Sequence, residues 1–389
     1  MWRKFVVASA LLVGCAPSPG GEVSTDDFDA LLRMRTPPSI DRWEVALCRV
    51  PSGVEAGLFA PLAERLAIDA AEIVDRLGPV SDYFARWSQG SYSLEWRAAP
   101  PVDLDSSGDP MSCVDRALDA SDDDTTGVLV VADAQHDSDQ IGGWGRPGSD
   151  CEQPCAARTS RRAVYVGASD FMPQWEDDSP LDLLQHELGH ALDWPHSATA
   201  AGFADTAADE HGVYDSPFDV MSDSVAPRAI DSRRRGAPGI LAVNLHSVGW
   251  LDRSGIEFVD PDRHPEGEWH DATRLVSTDS VGDDDAKRLM VVQVGDGRFL
   301  TVELVAARSD NDHVRSSGVL IHLVEPTENN EGRRNVLLTE AIIGEERTWT
   351  WNDGRLEFAV GIIAAEGDRV TTDVRFRRLG AERVARSDG

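Results

Sequence analysis

Basic residues and long apolar runs are both scarce in this sequence of 389 residues. Only 37 lysines and arginines stand against 68 aspartates and glutamates, which gives a formal net charge of −31. Such a charge repels a phosphate backbone, so we expect no nucleic-acid partner. No apolar run reaches the roughly 20 residues of a membrane-spanning helix. Hydrophobic residues at 41% and charged residues at 27% are typical of a globular protein and exclude wholesale disorder.

The N-terminus has the pattern of an export signal. Arg3 and Lys4 precede a short apolar run, the order of charge and hydrophobicity found in secretory signals. The residues LVGC that end at Cys15 resemble a bacterial lipobox, which implies that residues 1–14 are removed and that Cys15 is lipidated. Because Ala16 follows rather than an aspartate, we expect an outer-membrane position, with the membrane contacted through the lipid alone. The alternative is a secreted protein with an ordinary signal.

Cysteine is scarce as well, and its spacing argues against a thiolate metal site. Beyond Cys15 the chain has four cysteines, with no pair of CxxC motifs to form a zinc knuckle. An even number in an exported chain favours two disulfides. Of the three possible pairings we favour Cys151 with Cys155, across the CEQPC loop, and Cys48 with Cys113. A zinc site made from these cysteines is the alternative.

The distribution of apolar and turn residues predicts two domains. Apolar runs at 43–50, 127–133 and 162–168 predict strands in the first half, whereas short β-rich runs separated by Gly, Asp and Asn turns fill the chain beyond Trp250. A segment rich in Pro, Gly and Ser precedes them and predicts a flexible tether. The expected segments are a signal peptide at 1–14, a tether at 15–42, a first domain at 43–251, a β-sandwich domain at 252–380 and a tail at 381–389.

A helix with ligand-type residues is predicted in SPLDLLQHELGHAL. Ser179 is a good N-cap and Pro180 suits the first helical position. His186 and His190 are four residues apart, so both imidazoles project from one helix face and could reach one cation. HExxH spacing is typical of zinc hydrolases, in which the histidines hold the metal and the glutamate, here Glu187, is the general base.

The motif continues as HELGHALDWPH and supplies a third candidate ligand. His196 lies six residues beyond His190, after a predicted chain reversal that would return its imidazole to the metal. Three imidazoles leave one position of a tetrahedral zinc site open, as catalysis requires. The alternative is a set of ordinary surface histidines, which this spacing makes a poor explanation.

Two stretches beyond the motif resemble the metzincin peptidases, whose signature is HExxHxxGxxH followed by a methionine-containing turn beneath the metal. Residues 214–223, YDSPFDVMSD, look like that Met-turn, with Met221 at its centre. Residues 241–251, LAVNLHSVGWL, resemble the segment that follows it in the gametolysin-like and immune-inhibitor-A-like families. The resemblance implies a metzincin-type α/β catalytic domain, with a mixed sheet beside the zinc-binding helix, followed by an all-β sandwich domain.

Asp193 departs from the family pattern, because the signature has glycine at that position. The chain is expected to turn there with a positive φ. Aspartate tolerates the left-handed region better than most residues, so we still predict the turn. Asp193 as the third ligand in place of His196 is the alternative.

The resemblance implies a zinc endopeptidase that acts on a protein or peptide substrate, with Zn²⁺ as cofactor and Glu187 as general base. With the export signal, we expect an exported monomer. Tyr214 and His211 are candidates for stabilising an oxyanion, or else loop residues with structural roles. Acidic loops at 103–109 and 133–140 predict solvated surface, with structural Ca²⁺ as the alternative. Two other functions stay open: a surface lipoprotein that binds polymer or host protein on an inactive peptidase scaffold, and a zinc amidohydrolase acting on cell-wall amides.

Overall fold

The computed structural model has a mixed α/β architecture with several sheets and few helices among the residues that it describes. Those residues are 25–51, 64–105, 109–135, 143–148, 160–172, 181–200, 214–222, 237–280, 286–295, 297–307, 314, 316–327, 332–339, 347–351 and 355–380.

The helices and strands follow one another through both halves of the chain. The α-helices are α1 Thr25–Leu32, α2 Ala70–Arg76, α3 Gly78–Trp87, α4 Met111–Ala120, α5 Asp182–Ala191 and α6 Ala242–Ser247. The strands of the first half are β1 Ile40–Arg49, β2 Glu64–Arg65, β3 Ser93–Ala98, β4 Val102–Asp103, β5 Gly127–Ala132, β6 Ala134–Gln135, β7 Gly143–Arg146, β8 Arg162–Val166 and β9 Ser197–Thr199. Those of the second half are β10 Ile256–Val259, β11 Thr273–Val276, β12 Leu289–Gly295, β13 Arg298–Val305, β14 Gly318–Pro326, β15 Arg333–Leu337, β16 Arg347–Trp351, β17 Leu356–Val360, β18 Ala364–Glu366 and β19 Arg369–Arg378.

The sheet of the first half has the strand order β3-β1-β5-β8-β7, and the short β4 also pairs with β1. β3, β1, β5 and β8 are parallel, whereas β7 runs antiparallel to β8 at the end of the order. Every residue of β5 is buried, as expected for a central parallel strand. The predictions of strands at 43–50, 127–133 and 162–168 are confirmed as β1, β5 and β8.

Helices cover both faces of this sheet. Leu129 and Val131 of β5 point into a core that they share with α2, α3 and α5, whereas Val128 and Val130 face α4 on the other side. Successive residues of a strand point to opposite faces, so one apolar strand serves two cores. The structure is therefore layered, with α5 packed against β8 and β7 at one end of the sheet.

The second half contains two further sheets. One has the order β10-β12-β13-β14-β15-β9 and the other β11-β19-β17-β16, with β18 on β19. Alternate residues of the two sheets fill one core, among them Val302, Ile321, Phe358 and Phe376. The prediction of a β-rich region beyond Trp250 is confirmed. Each of its two sheets contributes one face to a common buried core.

The two halves of the chain are joined by packing and by backbone pairing. Phe299 and Val324, on the other face of the larger C-terminal sheet, belong to the core formed by the N-terminal helices. β9 comes from the first half, yet it is the last strand of that C-terminal sheet and pairs in parallel with β15. A single apolar core therefore crosses residue 251, where we predicted the end of the first domain.

Residues 25–42 were expected to belong to a flexible tether, and here that prediction is wrong. TDDFDALL forms α1, and its Phe28 and Leu32 side chains are buried. The Phe28 ring makes edge-on contacts with Phe258 and Phe299. A helix this short gains its stability from tertiary packing, and the surface on which it packs is supplied by strands more than 200 residues away in sequence. The local composition therefore gave no sign of it.

One predicted disulfide is confirmed, between Cys48 of β1 and Cys113 of α4. It lies in the core on the α4 face of the first sheet. Cys151 and Cys155 lie outside the described residues, as do Cys15 and the predicted signal peptide. Within the described ranges no helix is long and apolar enough to cross a membrane.

Candidate metal centre

Two of the predicted ligands project from one face of α5. His186 and His190 are one turn apart, and their ring centroids are separated by 4.8 Å. His186 Nδ1 lies 2.8 Å from the Val220 carbonyl oxygen and His190 Nδ1 lies 3.0 Å from that of Trp194. A carbonyl can only accept, so each Nδ1 is protonated and each neutral ring keeps a lone pair on Nε2. This tautomer leaves Nε2 free to bind a metal.

The chain reverses after α5, as predicted, and Asp193 adopts a φ of 66°. The Trp194 amide donates to the Gly189 carbonyl at 3.0 Å, which closes the turn. The Asp193 carboxylate is directed to Arg35, with Oδ2 lying 3.3 Å from Nε. It is not part of the metal-type cluster found among the described residues, which comprises three histidines. The alternative of Asp193 as third ligand thus has no geometric support.

The three histidines converge. Potential ligand atoms of His186, His190 and His196 all lie within 4.8 Å of one another, and the Nε2 atoms of His190 and His196 are 3.0 Å apart. Two nitrogens at about 2.0–2.1 Å from a tetrahedral zinc ion would be separated by about 3.3 Å, close to that spacing. Burial and the two neighbouring imidazoles hold the pKa of His190 well below its usual range, so the ring is neutral. The cluster could hold a metal ion.

Glu187 is buried between α5 and the antiparallel strand β7. A Cβ atom at Gly143 would lie 2.5 Å from Glu187 Oε1, and one at Gly145 would overlap the Glu187 carbonyl oxygen. The glycines of GWGR are therefore what allows β7 to approach the helix so closely. Burial raises the pKa of the Glu187 carboxyl to about 8. The carboxyl group thus lies, away from solvent, against the strand at the end of the sheet.

Met221 is fully buried and packs against α5 at Gly189, next to His190 in sequence. A Cβ at Gly189 would overlap Met221 Sδ, so the contact depends on the absence of a side chain there. The preceding residue, Val220, supplies the carbonyl oxygen that fixes His186. The structure thus brings the methionine segment against the helix that carries the histidines.

Of the remaining predicted residues near the histidines, some lie in the described part of the chain and others do not. The Tyr214 ring stacks on His196, with centroids 4.0 Å apart and an interplanar angle of 18°. His211, and the predicted helix start at Ser179 and Pro180, lie outside the described residues, whereas the helix itself is confirmed as α5.

The acidic loops considered for calcium are only partly described. In the loop at 103–109 residues 106–108 are outside the described ranges, and the loop at 133–140 is described only to residue 135. Asp133 forms an ion pair with Arg65 at 2.9 Å and accepts the Val50 amide at 3.0 Å. A basic side chain and a backbone amide therefore contact this carboxylate.

Sequence reasoning missed several residues that contact the centre. Gly143, Gly145, Ser197, Asp219 and Arg35 touch the histidine motif or its neighbours, yet most of them are far from it in sequence. Alternating glycines in GWGR beside predicted strands were the only local signal, since glycine inside a strand often marks a close backbone approach. The other contacts follow from the fold.

Comparisons with known proteins add little to this geometry. No protein-family model matches the chain, and no curated protein matches it significantly. Among solved structures it is similar to the crystal structure of metalloproteinase-II from Bacteroides fragilis, with 15% identity and a TM-score of 0.30. That match covers 55% of this chain and 53% of the other, so the chain spans about half of that protein. A likeness this low does not show a shared activity, and the candidate centre rests on its own residues.

Proposed function

We propose that this protein is an exported zinc metallopeptidase of the metzincin type. The observation that carries the proposal is the convergence of His186, His190 and His196, together with Glu187, which follows His186 on the same helix and is buried against β7. Two ligand rings have their Nδ1 protons committed to backbone carbonyls, so their Nε2 atoms are available to a cation. Three neutral imidazoles with one position left open is the donor set of a catalytic zinc site.

The chemistry divides between the metal and Glu187. A zinc ion held by the three histidines would polarise a carbonyl group and lower the pKa of water, as in other zinc hydrolases. Glu187 accepts the proton of the attacking water and then delivers it to the leaving amine. Its carboxyl is shielded from bulk solvent by β7, so a proton that it accepts is not readily exchanged with solvent before it reaches the leaving amine. The reaction needs no serine or cysteine nucleophile.

Strand β7 supports an extended peptide as the substrate. It pairs with β8 on one side only, and the described residues place no strand against its other edge. An extended chain can add to such an edge through main-chain hydrogen bonds, which do not depend on the side chains of the substrate. Gly143 and Gly145 allow the face of this strand to lie directly against Glu187. A peptide bound along β7 would therefore have a backbone carbonyl close to the general base.

The test compares three kinds of activity in one preparation. Purified protein is analysed for zinc, then incubated with casein and with a cell-wall preparation, with and without a chelator. We expect one zinc per chain and chelator-sensitive cleavage of casein. Release of cell-wall amides without casein cleavage would instead mean an amidohydrolase, and bound zinc with no turnover would mean a binding module. Folded protein that takes up no zinc would overturn the proposed centre.

For location we propose lipid attachment through Cys15 to the outer membrane, with the fold exposed outside the cytoplasm. The buried Cys48–Cys113 disulfide supports an oxidising compartment, where such bonds persist. Fractionation of wild type against Cys15→Ser tests the anchor: wild type should sediment with membranes and the variant should not. Equal amounts of both in the soluble fraction would mean an ordinary secretory signal.

A further inference from the structure

The residue that follows the third candidate ligand begins a strand of the C-terminal sheet. Ser197 comes directly after His196 and pairs with Asn335 of β15, and Ala198 pairs with Val336. The imidazole that completes the cluster therefore stands at the start of β9, whose backbone is bonded to a strand almost 140 residues later. A displacement of this sheet would move His196 with it.

A buried side-chain network acts at the same point. Ser197 Oγ donates to Asp219 Oδ2, and the Ser197 amide donates to the Met221 carbonyl at 3.0 Å. Asn244 Nδ2 reaches the same Asp219 oxygen at 3.4 Å. Arg333 of β15 donates to Asn244 Oδ1 at 3.2 Å, so the network returns to the C-terminal sheet.

The burial of this network makes each of its contacts consequential. Ser197, Asp219, Asn244 and Arg333 all have 0% exposed surface. A buried polar group that loses its hydrogen-bond partner cannot replace it with water, so the loss costs free energy. These side chains are therefore strongly held to one another. Asp219 occupies the central place, because it accepts from Ser197 and from Asn244. Two residues later the chain reaches Met221, beneath α5.

We infer that Asp219 is a positioning residue of the metal centre: its carboxylate holds Ser197, and with it His196, against the C-terminal sheet. The inference rests on the proposed metal site and goes beyond it, because it assigns the C-terminal sheet a part in building the centre. In this network Asp219 contacts Ser197, the neighbour of His196, and not a ligand atom. Removing a contact that orients a metal ligand typically changes metal affinity by about 10–100-fold.

The experiment uses full-length protein and a matched pair of hydroxyl deletions. Ser197→Ala removes a hydroxyl that donates to a buried aspartate, Asp219, whereas Thr126→Ala removes one that donates to Asp41, equally buried but in the first sheet. Asp219→Ala removes the acceptor, and Asp219→Asn keeps an oxygen in its place. Zinc affinity is measured by competition with a chromophoric chelator, and the visible spectrum of the cobalt-loaded protein reports the ligand geometry. His196→Ala gives the reference for a lost ligand.

We expect Ser197→Ala and Asp219→Ala to weaken zinc binding by about 10–100-fold and to shift the cobalt spectrum towards that of His196→Ala. Asp219→Asn should stay close to wild type, and Thr126→Ala should match wild type even if its melting temperature falls. If Asp219→Ala does not fold, Ser197→Ala decides alone, since it deletes a single atom. Wild-type affinity and spectrum in Ser197→Ala would overturn the inference. Absence of zinc binding in wild type, or its retention in His196→Ala, would instead overturn the metal site itself.

Discussion

Arg35 and Asp193 form an ion pair that connects the segment after α1 to the turn between the second and third candidate ligands, with Nε and Oδ2 at 3.3 Å. Arg35 also donates to the Gly148 carbonyl at 2.7 Å, and its amide donates to the Ser247 carbonyl at 2.8 Å. The only turn residue of the motif that departs from the signature is therefore held by a residue from the N-terminal segment. This contact gives Asp193 a role that does not require it to bind metal.

Asp193→Gly should retain zinc and should change the free energy of unfolding by no more than about 1 kcal/mol. Glycine adopts a φ of 66° without strain, which offsets the loss of a partly exposed ion pair that contributes about 1 kcal/mol or less. Asp193→Ala keeps the strain and loses the pair, so it should be the less stable variant. Denaturant unfolding and zinc content are the measurements. Loss of zinc in Asp193→Gly together with its retention in His196→Ala would reverse the ligand assignment.

Glu187→Gln should keep zinc at the wild-type level and lower kcat by about 10²–10⁴-fold, the usual contribution of general acid–base catalysis. The amide fills the same space between α5 and β7 but cannot accept the proton of water. Zinc analysis checks the metal content, and single-turnover cleavage of a peptide checks the rate. Cleavage at the wild-type rate would show that Glu187 is not the general base.

Glu303 is a buried carboxyl on the face of β13 that meets the first half of the chain. Its Oε2 accepts from the Ala242 amide at 3.0 Å and from the Thr278 hydroxyl at 2.9 Å, while Oε1 lies 3.8 Å from His322 Nδ1. Burial raises the pKa of Glu303 from 4.5 to about 7, with a further rise from Asp219, and lowers the pKa of His322 to about 3. Since both shifts favour the uncharged forms, we describe this contact as a neutral pair rather than an ion pair.

The pKa of Glu303 predicts a pH-dependent stability. A carboxyl whose pKa is raised on folding stabilises the protein fully below the unfolded value of 4.5, and this contribution is lost as pH rises to about 7. In that window its loss amounts to about 1.4 kcal/mol per pH unit. Asp219 adds a loss of the same sign between 3.8 and about 6.

Glu303→Gln separates the contribution of this one group. The variant keeps an acceptor for Ala242 and Thr278 but cannot ionise, so its free energy of unfolding should fall less between pH 5 and pH 7.5 than that of wild type. Asp219 is present in both proteins, so the comparison reports the loss of Glu303 together with its coupling to Asp219. Urea unfolding at the two pH values gives the result. Parallel pH profiles for the two proteins would show that Glu303 does not titrate in this range.

Gly189→Ala should destabilise the protein by about 1–3 kcal/mol, as overpacking of a core does. The new methyl group would overlap Met221 Sδ and lie 2.9 Å from Trp194. This cost exceeds the gain of about 1 kcal/mol that alanine brings to a helix. Gly78→Ala is the matched control, since nothing lies within 4 Å of its Cβ position at the start of α3. Equal melting temperatures for both variants would mean that Met221 can move away from the helix freely.

The sequence by itself determined the features that depend on neighbours within one or two turns of the chain. His186 and His190 share a helix face because the helical repeat places residues four apart side by side, and the buried strand β5 follows from its continuous apolar run. The positive φ of Asp193 was predictable from its place in the motif. Local patterns of this kind survive folding because the backbone geometry that they encode is itself local.

Only the tertiary structure decided what surrounds these residues. The packing of Phe28 on Phe258 and Phe299, and the pairing of Ser197 with Asn335, join segments more than 130 residues apart. The hydrophobic pattern of the sequence does not predict such a contact, because the contact depends on which two surfaces are complementary once both have formed. Part of the predicted tether thus forms a packed helix, and the residues after His196 form a strand of the C-terminal sheet.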